Sequence, residues 1–334
     1  MFSRSLHRKI EERLDRGEQI MLFLNRRGYG GFVSCRSCGE AMRCPHCDVG
    51  LTAHKDGSLH CHYCGYTMQL PKNCPECGSP YIGVFGTGTQ RLEEAVKREF
   101  PQARLLRMDM DTTRTKDSYE EILSAFGRGE ADILIGTQMI VKGHDFPGVT
   151  LVGIVAADLS LFGADFRSVE KTFELLTQAA GRAGRGDTPG EVVIQTYNPG
   201  HYSIQTAARQ DYRGFYEKEL LYRKLLKYPP CGKLMAVLVT SKDEKQAAEL
   251  AEKLAELTRE LCAESGKEGL EMLGPTKAGI SRLKDIYRFI IYFKEGEKEN
   301  RISEAKKIME NYLEQDQVKK GCTVLFDFNP MTGY

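Results

Sequence analysis

Net charge is almost absent: 47 lysines and arginines face 46 aspartates and glutamates, leaving +1 at neutral pH. A chain so balanced carries no global field to draw in a polyanion, so any nucleic-acid surface must be local. Long apolar runs are missing too. The longest, Val149 to Ala157, falls far short of a membrane span and is closed by Asp158. No charged and apolar leader opens the sequence, so a reducing cytoplasm is the expected compartment. Internal repeats and low-complexity tracts are also lacking, and the absence of tryptophan excludes nothing. At 334 residues, 41 % apolar and 28 % charged, the chain has an ordinary globular make-up and room for two or three domains.

Cysteine is what the sequence does have. Four CxxC pairs lie between Cys35 and Cys77: Cys35/Cys38, Cys44/Cys47, Cys61/Cys64 and Cys74/Cys77. Glycine follows three of them, at Gly39, Gly65 and Gly78, where a small residue lets backbone amides approach the sulfurs. Eight thiolates make two tetrahedral, four-cysteine zinc sites with bonds of about 2.3 Å. Five residues separate Cys38 from Cys44, too few to loop adjacent pairs comfortably round one ion, whereas thirteen separate Cys47 from Cys61. That spacing favours a nested arrangement over sequential or interleaved ones. Cys44, Cys47, Cys61 and Cys64 then form an inner site, enclosed by an outer site of Cys35, Cys38, Cys74 and Cys77. Disulfides, a redox pair and iron–sulfur ligation are the competing readings. Four regularly placed pairs in a reducing compartment argue against the first two. A site with no open position is structural and does no metal chemistry.

Around the cysteines the pattern alternates strands and helices. Helical spacing of Leu6, Ile10 and Leu14 predicts a helix over 3–17, stopped by Gly17. A strand follows at Gln19 to Leu24, then a polar turn from Asn25. Further strands are expected at Ile82 to Phe85, Arg104 to Asp109, Asp132 to Gly136, 149–157 and 191–197, with helices between them. Such alternation predicts a parallel sheet covered on both faces, the cysteine module being inserted between its first and second strands. A polar helix over 202–227 ends at Tyr228-Pro229-Pro230. Beyond it the order βαββαβ (Leu234 to Thr240, Asp243 to Glu264, Leu270 to Leu273, Tyr287 to Phe293, Asn300 to Glu314, Thr323 to Asp327) predicts an α+β, ferredoxin-like domain. The expected domains are 1–32 with 80–200, the insertion 33–79, a helical linker 201–230, and 231–334.

Two loops of the first sheet carry candidate chemistry. TQAAGRAGR, Thr177 to Arg185, fits QxxGRxGR through Gln178, Gly181, Arg182, Gly184 and Arg185. Its glycines keep the turn clear so that two guanidinium forks can reach phosphate oxygens. GTQMIVKGHDFP, Gly136 to Pro147, places Thr137 and Gln138 at a strand end, suited to a nucleic-acid phosphate, with Gly143 and Asp145 falling as GxDxP. Either loop alone reads blandly as a solvated turn; two on neighbouring elements in this order do not. In the last domain Arg282, Lys284 and Arg288 flank Tyr287, a combination that tracks single-stranded backbone and stacks bases, with a solvated strand edge as the alternative.

These two loops resemble motifs VI and V of superfamily 2 helicases. With eight cysteines inserted after LFLNRRGYGG, and with GTGTQRLEE and RMDMDTTR between, the chain resembles the PriA family of primosomal replication-restart helicases along essentially its whole length. The resemblance implies a RecA-like second helicase lobe with an inserted two-zinc module and a C-terminal α+β domain. It implies arginine fingers at Arg182 and Arg185, and Gln178 lining the nucleotide cleft. Gly143 and Asp145 would couple nucleotide state to DNA grip and, with Gly181, belong to the cofactor-binding set, and Thr137, Gln138 and Lys142 would lie nearest the DNA backbone. It further implies 3′-to-5′ travel powered by ATP and Mg, replication restart with primosome assembly, and two zinc ions. The implied partners are single-stranded and forked DNA, the single-stranded-DNA-binding protein, primosome proteins and the replicative helicase loader. Arg36, Arg43, His46, His54, Lys55, His60, His62 and Lys72 would fringe the zinc module; Phe162, Phe166 and Arg167 could touch DNA, although aromatic residues so spaced are more often core. The ending FDFNPMTGY departs from the family's more acidic one, which leaves a role for Asp327 in doubt.

The resemblance also shows what is missing. Neither GxxxxGK[ST] nor a DExH box occurs; Gly232-Lys233 and Gly266-Lys267 lack a glycine-rich loop and a following Ser or Thr. The chain therefore looks like the family's carboxyl half and is expected not to hydrolyse ATP by itself. The competing expectation is a non-catalytic, zinc-dependent nucleic-acid-binding module with a degenerate RecA-like lobe.

Overall fold

The computed structural model describes residues 1–24, 33–45, 50–54, 56–61, 64–84, 89–109, 112–113, 116–137, 140, 145–161, 165–186, 188–264, 269–314 and 321–331. In chain order its elements begin with α1 (Arg4–Asp15), β1 (Gln19–Leu24), β2 (Val33–Cys35), β3 (Thr52–Ala53), β4 (Ser58–His60), β5 (Thr67–Gln69) and β6 (Ile82–Val84). Next come α2 (Thr89–Glu99), β7 (Leu105–Met108), α3 (Lys116–Gly127), β8 (Ile133–Gly136), β9 (Val149–Val155), α4 (Asp158–Leu161), α5 (Ser168–Ala180) and β10 (Glu191–Ile194). The remainder is α6 (Tyr202–Ala208), α7 (Tyr212–Leu225), β11 (Gly232–Ser241), α8 (Glu244–Glu264), β12 (Glu271–Leu283), β13 (Ile286–Gly296), α9 (Arg301–Leu313) and β14 (Cys322–Phe328). The chain divides into two compact units. Met1–Ala41, Pro71–Gly163 and Arg167–Phe215 form one, and Met42–Leu70, Ala164–Phe166 and Tyr216–Tyr334 the other.

The first unit is built on a five-stranded sheet of order β10-β9-β1-β8-β7, parallel at every pairing. Its central strands are buried residue after residue: Ile20 to Leu24 in β1, all of β8 and all of β9. Because successive side chains point to opposite faces, unbroken burial means both faces are covered. Leu6 and Ile10 of α1, Leu92 and Val96 of α2, Phe126 of α3 and Phe173 and Leu176 of α5 complete that core. Helix α1 starts at Ser3, whose hydroxyl accepts from the Leu6 amide at 3.2 Å. It can lie close because β9 carries Gly153, where an added Cβ would stand 2.7 Å from Leu22 and 2.9 Å from Leu6.

The second unit carries a four-stranded antiparallel sheet of order β12-β13-β11-β14. With α8 and α9 in the crossovers, this is the ferredoxin-like order. Met235, Val237, Val239, Ile291 and Phe293 alternate onto the face that meets Leu250, Leu254 and Ala255 of α8 and Ile302, Ala305 and Met309 of α9.

Three elements differ from the sequence reading. Strand β6 does not join the large sheet: it pairs antiparallel with β2, Cys35 opposite Ile82, so these two strands are the stem through which the chain enters and leaves the cysteine-rich segment. The helix over 202–227 is two helices. Gln210 takes a left-handed φ of 53° between them, and the Asp211 carboxylate accepts from the Gly214 amide at 2.8 Å to start α7. Strand β12 runs well past Leu273, to Leu283, closing on β13 through Lys284 and Asp285, both left-handed.

Candidate metal centres and arginine loop

The cysteine turns repeat one local design. In the turns starting at Cys35, Cys61 and Cys74, the first cysteine's carbonyl accepts from the glycine four residues on, at 2.9–3.0 Å. Its own amide donates to the carbonyl five residues on, at 2.7–2.8 Å. The three glycines take left-handed φ values of 73–81°, open to glycine without steric cost. Each turn thereby aims two sulfurs to one side.

The sulfurs of Cys35, Cys38, Cys74 and Cys77 all lie within 4.8 Å of one another, with Cys35 to Cys77 at 3.6 Å and Cys38 to Cys74 at 3.7 Å. A disulfide would hold them at about 2.05 Å. A tetrahedron with zinc–sulfur bonds of ~2.3 Å has edges of about 3.8 Å, so this donor set fits a four-coordinate ion. Burial pushes the Cys35 thiol up, but the Cys38 and Ser37 amides and the neighbouring thiols outweigh it and bring it to about 6. Cys38, despite an amide bond from Glu40, is pushed up to about 12 by burial and by the other sulfurs.

A second cluster gathers Cys44, Cys61 and Cys64, with Cys44 to Cys64 at 3.5 Å. Cys47 lies outside the described residues, as do His46, Lys55 and His62. The described histidines of this segment serve each other. His54 stacks on His60 with ring centroids 4.0 Å apart, and His60 Nε2 meets Ser58 Oγ at 2.6 Å, the hydroxyl donating to Asp56. Burial, then the nearby His54, lowers the His60 pKa. Arg36 and Lys72 are exposed and Arg43 is half-buried.

The arginine loop packs against the end of the GTQ loop. The Gly184 amide donates to Val149 at 3.0 Å, and Gly186 presses on the Pro147 backbone. Arg185 pairs with Asp145, and its Nε donates to the Gly181 carbonyl at 2.8 Å. Arg182 is half-buried, Gln178 and Gly181 are exposed, and Thr137 is half-buried at the end of β8. Gln138, Lys142, Gly143 and Phe162 lie outside the described residues. Phe166 stacks on Tyr228 at 4.4 Å, and Arg167 is buried.

On the β12–β13 hairpin, Arg282 lies 5.0 Å from the Tyr287 ring centroid and donates to Asp285, Arg288 donates to the Ile280 carbonyl at 3.2 Å, and Lys284 stands exposed at the turn. Asp327 is half-buried in β14. The sequence reading missed a buried polar knot at the end of β7. Thr89 donates to Asp109 at 2.6 Å, and Arg107 bridges Asp109 at 3.3 Å and Glu93 at 2.9 Å. The signal was present: the knot ties GTGTQRLEE to RMDMDTTR.

Three family models match in register with this geometry. Residues 44–69 match the PriA DNA helicase Cys-rich region, 80–187 the helicase conserved C-terminal domain, and 224–331 the primosomal protein N C-terminal domain. The replication restart protein PriA of Bacillus subtilis (strain 168) is 49 % identical over 331 residues, 99 % of this chain and 40 % of its own length. That of Synechocystis is 46 % identical over 299 residues, covering 88 % and 36 %, and that of Chlamydia pneumoniae 39 % over 341 residues, covering 100 % and 44 %. The chain thus spans about two-fifths of the length of these curated relatives. Among the described residues no helix is long and apolar enough to cross a membrane. With its cysteine clusters, helicase C-terminal lobe and C-terminal sheet domain all matched, the chain belongs to the PriA family of replication restart helicases.

Proposed function

We propose that this chain is the second helicase lobe, metal module and C-terminal domain of an ATP-dependent 3′-to-5′ DNA helicase that restarts stalled forks and starts primosome assembly. The observation that carries the reading is the seating of the QxxGRxGR turn on the tail of the GTQ loop, through Arg185–Asp145 and Gly184–Val149. It joins a phosphate-reaching turn to a loop suited to DNA, which a helicase lobe requires and a passive binding module does not. Arg182 would be the guanidinium that meets a γ-phosphate brought by an ATP-binding lobe. Arg185 reaches it by exchanging Asp145 for phosphate, and Gln178 lines that face. Under this reading Gly143 and Asp145 would couple nucleotide state to DNA grip, with Gly181 beside the nucleotide, and Thr137, Gln138 and Lys142 would contact the DNA strand. Arg282, Lys284 and Arg288 of the hairpin give a second, weaker DNA contact.

The two cysteine clusters hold one zinc each, with Cys47 as the fourth ligand beside Cys44, Cys61 and Cys64. Bound zinc would supply fold rather than catalysis. Partners under this reading are single-stranded and forked DNA, the single-stranded-DNA-binding protein, primosome proteins and the replicative helicase loader. ATP and Mg are required, but this chain has no P-loop to bind them. Two ATPase measurements test it: the 334-residue chain with single-stranded DNA, and a polypeptide extended to its relatives' full length. The reading expects turnover only in the longer one, lost in Arg182→Ala. Turnover by the short chain, or an unaffected Arg182→Ala, would reject it.

A further inference from the structure

The three cysteine turns share a backbone but not surroundings. Each holds a glycine with left-handed φ, at Gly39 (81°), Gly65 (77°) and Gly78 (73°). What faces the missing side chain differs. A Cβ on Gly39 would stand well inside van der Waals contact distance of the Tyr197 carbonyl oxygen. A Cβ on Gly65 would stand 3.0 Å from Thr276 Oγ1 and 3.2 Å from its Cβ. A Cβ on Gly78 would meet nothing within 4 Å. Turn geometry accounts for glycine at all three positions; contact accounts for it a second time at two.

Both contacted residues sit where backbone is held with care. Tyr197 follows β10, its amide donating to Asp158 at 3.1 Å, while Thr196 donates its hydroxyl to the other oxygen of that carboxylate at 2.8 Å. Thr276 lies just past the register shift of β12, paired with Ile290 of β13. Gly39 belongs to the turn of Cys35 and Cys38, in the first unit; Gly65 follows Cys61 and Cys64, in the second.

We infer that Gly39 and Gly65 are docking points that seat the two thiolate centres on different bodies of the chain. The Cys35/Cys38/Cys74/Cys77 centre rests on Tyr197 at the end of β10, and the Cys44/Cys61/Cys64 centre rests on Thr276 in β12. Each metal-clamped turn is then anchored within its own unit. Order at the end of β10 depends on the first anchor, and order at the irregular stretch of β12 on the second. This rests on the two-ion reading above for the clamps, though not for the contacts.

Gly78 supplies an internal control, because Gly78→Ala carries the same left-handed strain without a neighbour to displace. Hydrogen exchange and zinc content are measured on the zinc-loaded 334-residue chain and on Gly39→Ala, Gly65→Ala and Gly78→Ala. The inference expects Gly65→Ala to speed exchange about tenfold across the paired segments around Thr276 and Ile290, and Gly39→Ala to do so at 195–198, with Gly78→Ala sparing both. Should Gly39→Ala fail to fold, Gly65→Ala carries the test, because only a side chain must move there. Seating is overturned if Gly78→Ala loosens the same segments, or if Gly65→Ala loosens nothing beyond its own turn. Zinc other than two per chain with the exchange pattern intact would instead overturn the metal reading.

Discussion

The guanidinium of Arg185 is ion-paired with the carboxylate of Asp145, and its Nε donates to the Gly181 carbonyl at 2.8 Å. Both partners are substantially exposed, so the pair itself contributes at most about 1 kcal/mol. Its consequence is positional: it ties the second arginine of QxxGRxGR to the aspartate of the GTQ loop. Asp145→Asn is expected to leave the urea midpoint of this chain nearly unchanged. In a full-length polypeptide it is expected to alter the coupling of ATP turnover to DNA, measured as the ratio of DNA-stimulated to basal rate. An unchanged ratio would reduce the pair to a surface contact.

Arg182 is expected to matter more for turnover. An arginine that stabilises a transferring phosphoryl group is worth ~10³-fold or more in rate. Arg182→Ala in the full-length polypeptide is therefore expected to lower kcat by about that factor while nucleotide KM changes little. A loss confined to KM would make Arg182 a ground-state binding group.

Packing sets a separate expectation for Gly153. A methyl there meets Leu22 at 2.7 Å and Leu6 at 2.9 Å, which forces α1 away from β9. Gly153→Ala is expected to cost ~1–3 kcal/mol, read as a lower denaturation midpoint with unchanged zinc content.

Two carboxylates give opposite pH signs. The Arg104 hydrogen bond and charge hold Asp132 below the usual carboxylate range despite partial burial. Its stabilisation is present above the unfolded value of about 4 and is lost as pH falls through the folded one. Burial pushes Asp158 up, outweighing hydrogen bonds from Thr196 and the Tyr197 amide. Ionising Asp158 therefore costs stability as pH rises through its folded value. The stability gap between the parent chain and Asp132→Asn is expected to close on acidification, measured by urea unfolding at stepped pH. A gap that widens in acid would contradict the sign.

The parallel sheet was legible because strands alternate with helices along the first part of the chain, and the unbroken burial of β8 and β9 fits the covered faces that such an order requires. Strand β6 was misplaced because Ile82 to Val84 is too short for periodicity to name its partner, and a pairing with β2 is a long-range fact. The break at Gln210 was hidden by polar residues that a helix and a turn accept equally. The far half of β12 is mostly exposed and mixes Ala278, Gly279, Ile280 and Leu283 with polar residues, too irregularly to mark a strand. Cysteine spacing foretold two clusters, yet not that Gly39 and Gly65 press on Tyr197 and Thr276. Residues so distant in sequence meet only after folding.

Metal analysis tests the central claim most directly. Zinc is counted on the purified chain and on Cys38→Ser and Cys64→Ser, one substitution in each sulfur cluster. The account expects two ions in the parent and one in each variant, with Cys38→Ser sparing the Cys44/Cys61/Cys64 centre and Cys64→Ser sparing the other. A single ion in the parent, or loss of both on either substitution, would contradict two independent four-sulfur centres.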